Sequence, residues 1–320
     1  MKNFNFSAKN ITIISALSLA ALGASAAAQG NVRDFQVAET GKSYSNLSSA
    51  VKAIGNGTGT ILIADGRYAD CAVQTAGNIA YKARNMGRVI FDRAVCEGKG
   101  TLVLRGRGAS VDGIIFQNIA VPDANGAGIR LEKGNLTVTR SVFRNSEQGI
   151  LTANDGSGII SVDRSTFSGL GRCDRGLSCA HSIYVGDYGA LTVTNTRFEA
   201  GNGGHYVKSR SARVNISNNS FDDVRGRTTN YMIDLPAGSV GKITRNRFVQ
   251  GRDKENYSAF IAIAAEGRVN TSSGLSVTNN DARIAPGINR NSVFLANWSR
   301  DSISLQSNRL GAKLKRYEER

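Results

Sequence analysis

The stretch Ile216-Ser217-Asn218-Asn219-Ser220-Phe221 recurs in altered form along most of the chain. An aliphatic residue is followed five positions later by a large apolar one, with mostly polar residues between. Val111 and Phe116 obey this spacing, as do Val138 and Phe143, Val162 and Phe167, Val193 and Phe198, and Ile243 and Phe248. Val277 with Ala282 and Leu305 with Leu310 continue the series with other closing residues. Successive closing residues are 27, 24, 31, 23, 27, 34 and 28 positions apart.

Self-similarity at a near-fixed period marks a repeat architecture. A period in the twenties is too short for a propeller blade, and the apolar pattern of a helical repeat is missing. It fits one coil of an all-β parallel β-helix, with three short strands and three turns. A single coil cannot bury its inward Val, Ile, Leu and Phe, whereas stacked coils bury a continuous core. Asn218-Asn219, Asn279-Asn280 and Asn308 stand just before the closing residues. Asparagine tolerates the left-handed backbone of a sharp corner, and stacked amides can bond from coil to coil. These asparagines are therefore assigned to structure.

Outward from the repeat, Ser43–Ile54 places Leu47, Ala50, Val51 and Ile54 at helical spacing. Serines lie where an N-cap is wanted, and Gly55-Asn56-Gly57 stops the pattern. This helix is expected to cap the exposed first coil. The β-helix domain is expected over 40–311. The highly charged segment 312–320 is expected to be a loose C-terminal tail.

Residues 1–28 read as a signal peptide. Lys2 and Lys9 precede an apolar run, Ile11 to Leu22, and Ala24-Ser25-Ala26 and Ala26-Ala27-Ala28 offer small-residue cleavage sites. No later run of eighteen apolar residues follows, so no membrane span is expected in the mature chain, which should be secreted or periplasmic. In an oxidising compartment four cysteines suggest disulfides. Proximity favours Cys71 with Cys96 and Cys173 with Cys179, among three possible pairings. A zinc site competes, but the spacings match no common zinc pattern. The net charge is +15, or +13 once Lys2 and Lys9 leave with the leader. Outside the cytoplasm such a balance suits acidic polysaccharides rather than nucleic acid. A monomer is expected.

The coil pattern, with Tyr81-Lys82-Ala83-Arg84-Asn85 and Val111-Asp112-Gly113-Ile114-Ile115-Phe116-Gln117-Asn118 in its early coils, resembles the right-handed parallel β-helix, or pectate-lyase-like, superfamily. The resemblance covers about residues 40 to 310. It implies the fold, and it leaves open lyases, hydrolases, epimerases and binding proteins.

Counting back from the closing residues puts Ile129, Ile150, Ile183, Val207 and Ile233 at one inward position. The residues just after it, Arg130, Leu151, Tyr184, Lys208 and Asp234, should face outward, as should Ser182, Tyr206 and Met232 just before it. Glu132, Gly186, Arg210 and Pro236 lie two positions further on. His181, His205 and Tyr231 open their phrases at the corner, and they include both histidines of the chain. Adjacent coils lie ~4.8 Å apart, so Tyr184, Lys208 and Asp234 should form a ladder within hydrogen-bond reach. Gly186 should leave room for a bound group, and a Cys173–Cys179 loop should stiffen one wall.

These residue types suit β-elimination from a uronic-acid polymer, which needs a cation on the substrate carboxylate, a base for the α-proton and an acid for the leaving oxygen. The resemblance implies Lys or Arg as base. Lys208 is the candidate base, with the charge of Arg210 favouring its neutral amine. Arg210 would neutralise the carboxylate, and Tyr184, His181 or His205 would donate the proton. Tyr231, Asp234, Tyr206 and Arg130 are candidate substrate-binding residues. The multiple-Asp calcium cluster of pectate lyases is not found, only Asp234 and Asp187, so no cofactor is expected, with calcium left open. Hydrolysis needs two or three carboxylates. Asp234 stands alone on this face, and Asp222-Asp223 follow a closing Phe in a turn. The remaining alternative is a non-catalytic polysaccharide-binding or envelope protein.

Overall fold

The computed structural model describes residues 34–320; the expected leader over 1–28 lies outside the described residues. The chain winds into a right-handed β-solenoid of about 9 turns. Three sheets form its sides, of 12, 10 and 10 strands, here called sheets 1, 2 and 3. Pairing between coils is parallel, in matched register apart from a shift between Asp155 and Ile159. In sheet 1, Val111 pairs with Val138 and Val138 with Val162. In sheet 2, Phe116 pairs with Phe143 and Phe143 with Phe167.

The recurring Phe has one physical role. Phe91, Phe116, Phe143, Phe167, Phe198, Phe221 and Phe248 are fully buried and stack ring on ring up the interior, with neighbouring centroids 4.8 to 5.8 Å apart. Such offset stacking adds to area burial, and replacing one interior Phe by Ala costs ~3–5 kcal/mol. The stack begins earlier than the repeat does in the sequence, since Tyr68 pairs with Phe91 one coil before.

The corner between sheets 1 and 2 carries a second ladder. Asn218 and Asn279 take positive φ of 59° and 57°. The next residue of each corner points inward. Asn219 Nδ2 donates to Asn246 Oδ1 (3.0 Å), Asn246 to Asn280 (3.1 Å) and Asn280 to Asn308 (2.9 Å). Toward the N-terminus hydroxyls take over. Ser141, Ser165 and Thr196 accept from the backbone N–H of the coil before. These side chains satisfy corner donors that the sheets leave unpaired.

Two expectations at the ends are corrected. The helix α1 spans Leu47–Ile54, not Ser43–Ile54. Asn46 is extended and its side chain accepts from Ser49 N (2.8 Å), so this cap starts the helix at Leu47. Ser43–Tyr44 is instead a short strand beside Phe35–Val37, which runs antiparallel to Thr58–Ile63. Leu47, Ala50 and Val51 are buried against the first coils, as a cap requires. The segment 312–320 is not a loose tail. Leu314–Glu319 pairs in parallel with Ser292–Asn297. Leu314 and Tyr317 pack on the core while the charged residues face out, and the pairing covers a strand edge that would otherwise be bare.

Both disulfides form as proximity suggests, Cys71–Cys96 with Cα atoms 5.6 Å apart and Cys173–Cys179 with Cα atoms 4.4 Å apart. Among the described residues, no helix is long and apolar enough to cross a membrane.

Candidate functional site

The strands Ile183–Val185, Val207–Ser209 and Ile233–Leu235 lie side by side in sheet 3. Their register is the predicted one. Ile129, Ile150, Ile183, Val207 and Ile233 form one inward column. Arg130, Leu151, Tyr184, Lys208 and Asp234 form the next column, facing out. Beyond Asp234 that column continues with Ala262 and Ala296.

Lys208 is the centre. Its Nζ lies 2.5 Å from Glu266 Oε1 and 3.6 Å from Asp234 Oδ2, and 5.6 Å from the centroid of the Tyr184 ring. Arg210 pairs with the other oxygen of Glu266, and its Nε donates to the Tyr184 hydroxyl oxygen (3.2 Å). Tyr184 therefore meets Arg210 diagonally across the sheet, and meets Lys208 by its ring face rather than by a hydrogen bond. The carboxylates, not Arg210, are what Lys208 touches.

The corner residues stack beside this cluster. The rings of His181 and His205 are 5.0 Å apart at 23°, and those of His205 and Tyr231 are 5.5 Å apart at 24°. Gly204 makes this stack possible. It has φ +61°, and a Cβ there would lie 2.7 Å from His181 Nδ1. His181 Nδ1 accepts the backbone N–H of His205 (2.9 Å), so its hydrogen is on Nε2. His205 Nε2 lies 3.4 Å from Asp234 Oδ2, while His205 Nδ1 and Asp234 Oδ1 are buried without partners.

Burial sets the electrostatics. Asp234 is 3% exposed, and desolvation pushes its carboxyl up to about 7, with Lys208 opposing the rise and Glu266 adding to it. Desolvation, followed by the charge of Lys208, brings His181 down to about 3. Desolvation and the neighbouring His181 hold His205 well below the ordinary imidazole range. Both histidines are thus neutral and buried, which suits holding neighbours in place, Asp234 by His205 and the His205 backbone by His181, rather than protonating a leaving group. Partial burial raises the Glu266 carboxyl, but hydrogen bonds from Lys208 and Arg210 outweigh it and keep it below the usual carboxylate range.

Several expected members stand elsewhere. Tyr206 does not face out. Its ring packs against Phe198 and Phe221, and its hydroxyl donates to Asp223 Oδ1 (2.7 Å). Strand alternation starts only at Val207, so the residue before it still belongs to the corner. Ser182 and Met232 are buried for the same reason. Asp223 and Lys254 form a fully buried pair (3.2 Å) that ties this corner together. Arg130 lies two strands before Tyr184, separated by Leu151, in another charged group where its Nε is 3.7 Å from Glu132 Oε1. Gly186 opens no pocket, because its missing side chain would meet Ala153 O at 2.6 Å. Asp187 is exposed and outside the cluster.

The sequence reading missed Glu266. It follows the strand Ala259–Ile263 in the coil that holds the longest repeat interval, 34 residues. The extra length lets the chain double back, with Glu266 N bonded to Pro236 O (3.0 Å). An acid in an insertion beside a basic column is the signal that would have found it. A surface recess of about 620 Å³ lies further along on sheet 3, between Tyr257, Val293, Lys315 and Arg320. Beside it, Ala259, Val293 and Ala296 form a small buried apolar cluster against which Tyr231 and Trp298 pack. One group among the described residues has metal-ligand spacing, Cys173, Cys179 and Glu255, and its two sulfurs are already joined to each other.

The fold and this face define a class before any particular reaction. A family model described as "Right handed beta helix region" matches residues 127–310, more than half of the chain, and the protein belongs to that family. No curated protein matches it. Among solved structures it is similar to ORF18 of Geobacillus virus E2, at 14% identity and a TM-score of 0.54, over 85% of this chain and 56% of that one. The chain thus spans little more than half of that protein's length, and at this identity the likeness concerns the fold alone.

Proposed function

We propose that the protein is an exported polysaccharide lyase that cleaves a uronic-acid polymer by β-elimination on sheet 3. The observation that carries this reading is Lys208, set between the carboxylates of Asp234 and Glu266 on the outward side of sheet 3. A lysine acts as base only as the neutral amine. Asp234, with a carboxyl near 7 and its Oδ2 3.6 Å from Nζ, is placed to take the ammonium proton. Arg210 faces the substrate carboxylate and lowers the cost of the carbanion. The Tyr184 oxygen accepts from Arg210, so its own hydrogen is free to go to the leaving oxygen. His205 positions Asp234.

The polymer would run across the coils of sheet 3, toward Tyr231 and Trp298. Arg210 supplies the positive charge that faces the substrate carboxylate, so this reading calls for no metal. Export rests on the leader-like residues 1–28 and on the two disulfides. The test is a screen of acidic polysaccharides, with and without calcium or chelator, for unsaturated sugar ends. Formation of such ends by wild type and not by Lys208→Ala supports the reading, and their absence with every acidic glycan sinks it.

One observation favours a second reading. Glu266 adds a second carboxylate, and Asp234 and Glu266 shift in opposite directions, as the acid and base of a glycosidase do. Hydrolysis would release saturated reducing ends instead.

A further inference from the structure

The polar cluster on sheet 3 is closed by a side chain from outside it. Glu266 bridges the two cations of the site, one oxygen on Lys208 and the other on Arg210. The geometry is that of a carboxylate ligand held by two bases. The Glu266 side chain is 43% exposed, whereas those of Lys208 and Asp234 are 11% and 4% exposed, so Glu266 lies between the cluster and solvent.

Its backbone is fixed. Ala264 N and Glu266 N bond to Leu235 O and Pro236 O, Asn270 N bonds to Ala237 O, and Asn270 Nδ2 bonds to Arg210 O. Arg268 Nε bonds to Trp298 O (2.8 Å). The segment can therefore stay in place while the Glu266 side chain alone rotates outward. The Glu266–Arg210 pair is partly open to solvent, at 43% and 30% exposure, and such pairs are weak enough to exchange.

We infer that Glu266 is a tethered competitor: its carboxylate occupies the subsite that Arg210 offers to the carboxylate of a uronic-acid ligand and covers the base Lys208, and it must swing aside for that ligand to bind. This rests on the lyase reading for the ligand class, and deepens it by naming the subsite and its internal occupant. Neutral sugars do not displace Glu266, because they bring no charge to replace the one they remove. The site thus selects for carboxylated sugars twice, once by attraction and once by the need to replace the negative charge that Glu266 withdraws from Arg210.

The test compares wild type with Glu266→Gln by isothermal titration, using di- to tetrasaccharides of galacturonate, glucuronate and mannuronate, with neutral galactose oligomers as control. Binding of at least one uronate series at least tenfold tighter in E266Q, with the neutral series unaffected, is expected. KM for the cognate polymer should fall by a similar factor. Glu266→Ser, which also removes the carboxylate, repeats the comparison should the Gln amide bridge the cations. Equal or weaker uronate binding in both variants overturns the inference, as does no uronate binding by any form. A variant that binds equally well but has lost kcat also overturns it and makes Glu266 a catalytic residue. Unsaturated product from wild type is scored separately, so the lyase reading can stand while the competitor fails, and the reverse.

Discussion

Nζ of Lys208 stands 3.6 Å from Oδ2 of Asp234 on the neighbouring coil, and both side chains are buried although they point away from the core. One coil of offset brings a basic side chain beside an acid whose desolvation makes it hold a proton near neutrality. A lone exposed cross-strand pair would contribute only ~0.2–1 kcal/mol. Here the pair shares its site with neutral histidines and with the Tyr184–Arg210 contact, and under the proposed lyase reading its consequence is chemical.

Asp234→Asn should lower kcat by at least a hundredfold while changing substrate affinity less than threefold, since the amide cannot take the ammonium proton. In wild type kcat should rise with pH through about 7, as the Asp234 carboxyl ionises and becomes a proton acceptor. A kcat profile of D234N that still rises through the same pH would assign that titration to another group.

Stability against pH carries its own signature. His181 and His205 stay neutral in the folded protein far below the ordinary value of 6.5 and take up protons on unfolding. Between pH 6.5 and about 4 this makes acidification destabilising by two protons. Asp234 opposes it by one, because its carboxyl is protonated below about 7 when folded but only near 3.8 when unfolded. These three groups leave one extra proton on the unfolded chain, a loss of about 1.4 kcal/mol per pH unit lowered. D234N removes the opposing proton and should roughly double the slope, measured by urea unfolding at several pH values. An unchanged slope would contradict the burial argument.

The corner ladder should be as demanding as the core. Asn246 is 2% exposed, and its amide serves Asn219 N, Asn219 Nδ2, Asn280 Oδ1 and Ile216 O. Asn246→Ala leaves several of these buried groups unpaired and should cost about 3 kcal/mol. Arg245→Ala at the exposed neighbouring corner should cost under about 1 kcal/mol. Urea midpoints of the two variants decide this.

The bridge between Cys71 and Cys96 closes a span of 25 residues near the cap, which limits the unfolded chain. Removing it by a double Cys→Ala change should cost about 2–4 kcal/mol. Removing Cys173–Cys179 closes less chain and should act mainly on the corner that leads into His181. Thermal unfolding of the two double Cys→Ala variants, compared with wild type, separates the two.

The repeat was readable because each coil must place an apolar residue at the same inward position, and stacking enforces that position from Phe116 to Phe248. The same constraint gave the columns of Tyr184, Lys208 and Asp234, since register follows from the core. What escaped lay where the repeat breaks. Tyr206 belongs to a corner, and period-two alternation does not extend through corners. Glu266 lies in an insertion, and its return to Lys208 depends on backbone bonds to Pro236 and Ala237 that no spacing reveals. The last strand, Leu314–Glu319, was hidden by its charge, because one face of an end coil is free to be polar.

The most direct measurement is the appearance of unsaturated sugar ends from an acidic polysaccharide, for wild type and Lys208→Ala, with binding of the same polymer recorded in parallel. The account predicts product from wild type, loss of product by at least a hundredfold in K208A, and binding retained within tenfold. Undiminished product from K208A, or saturated ends from wild type, would contradict it.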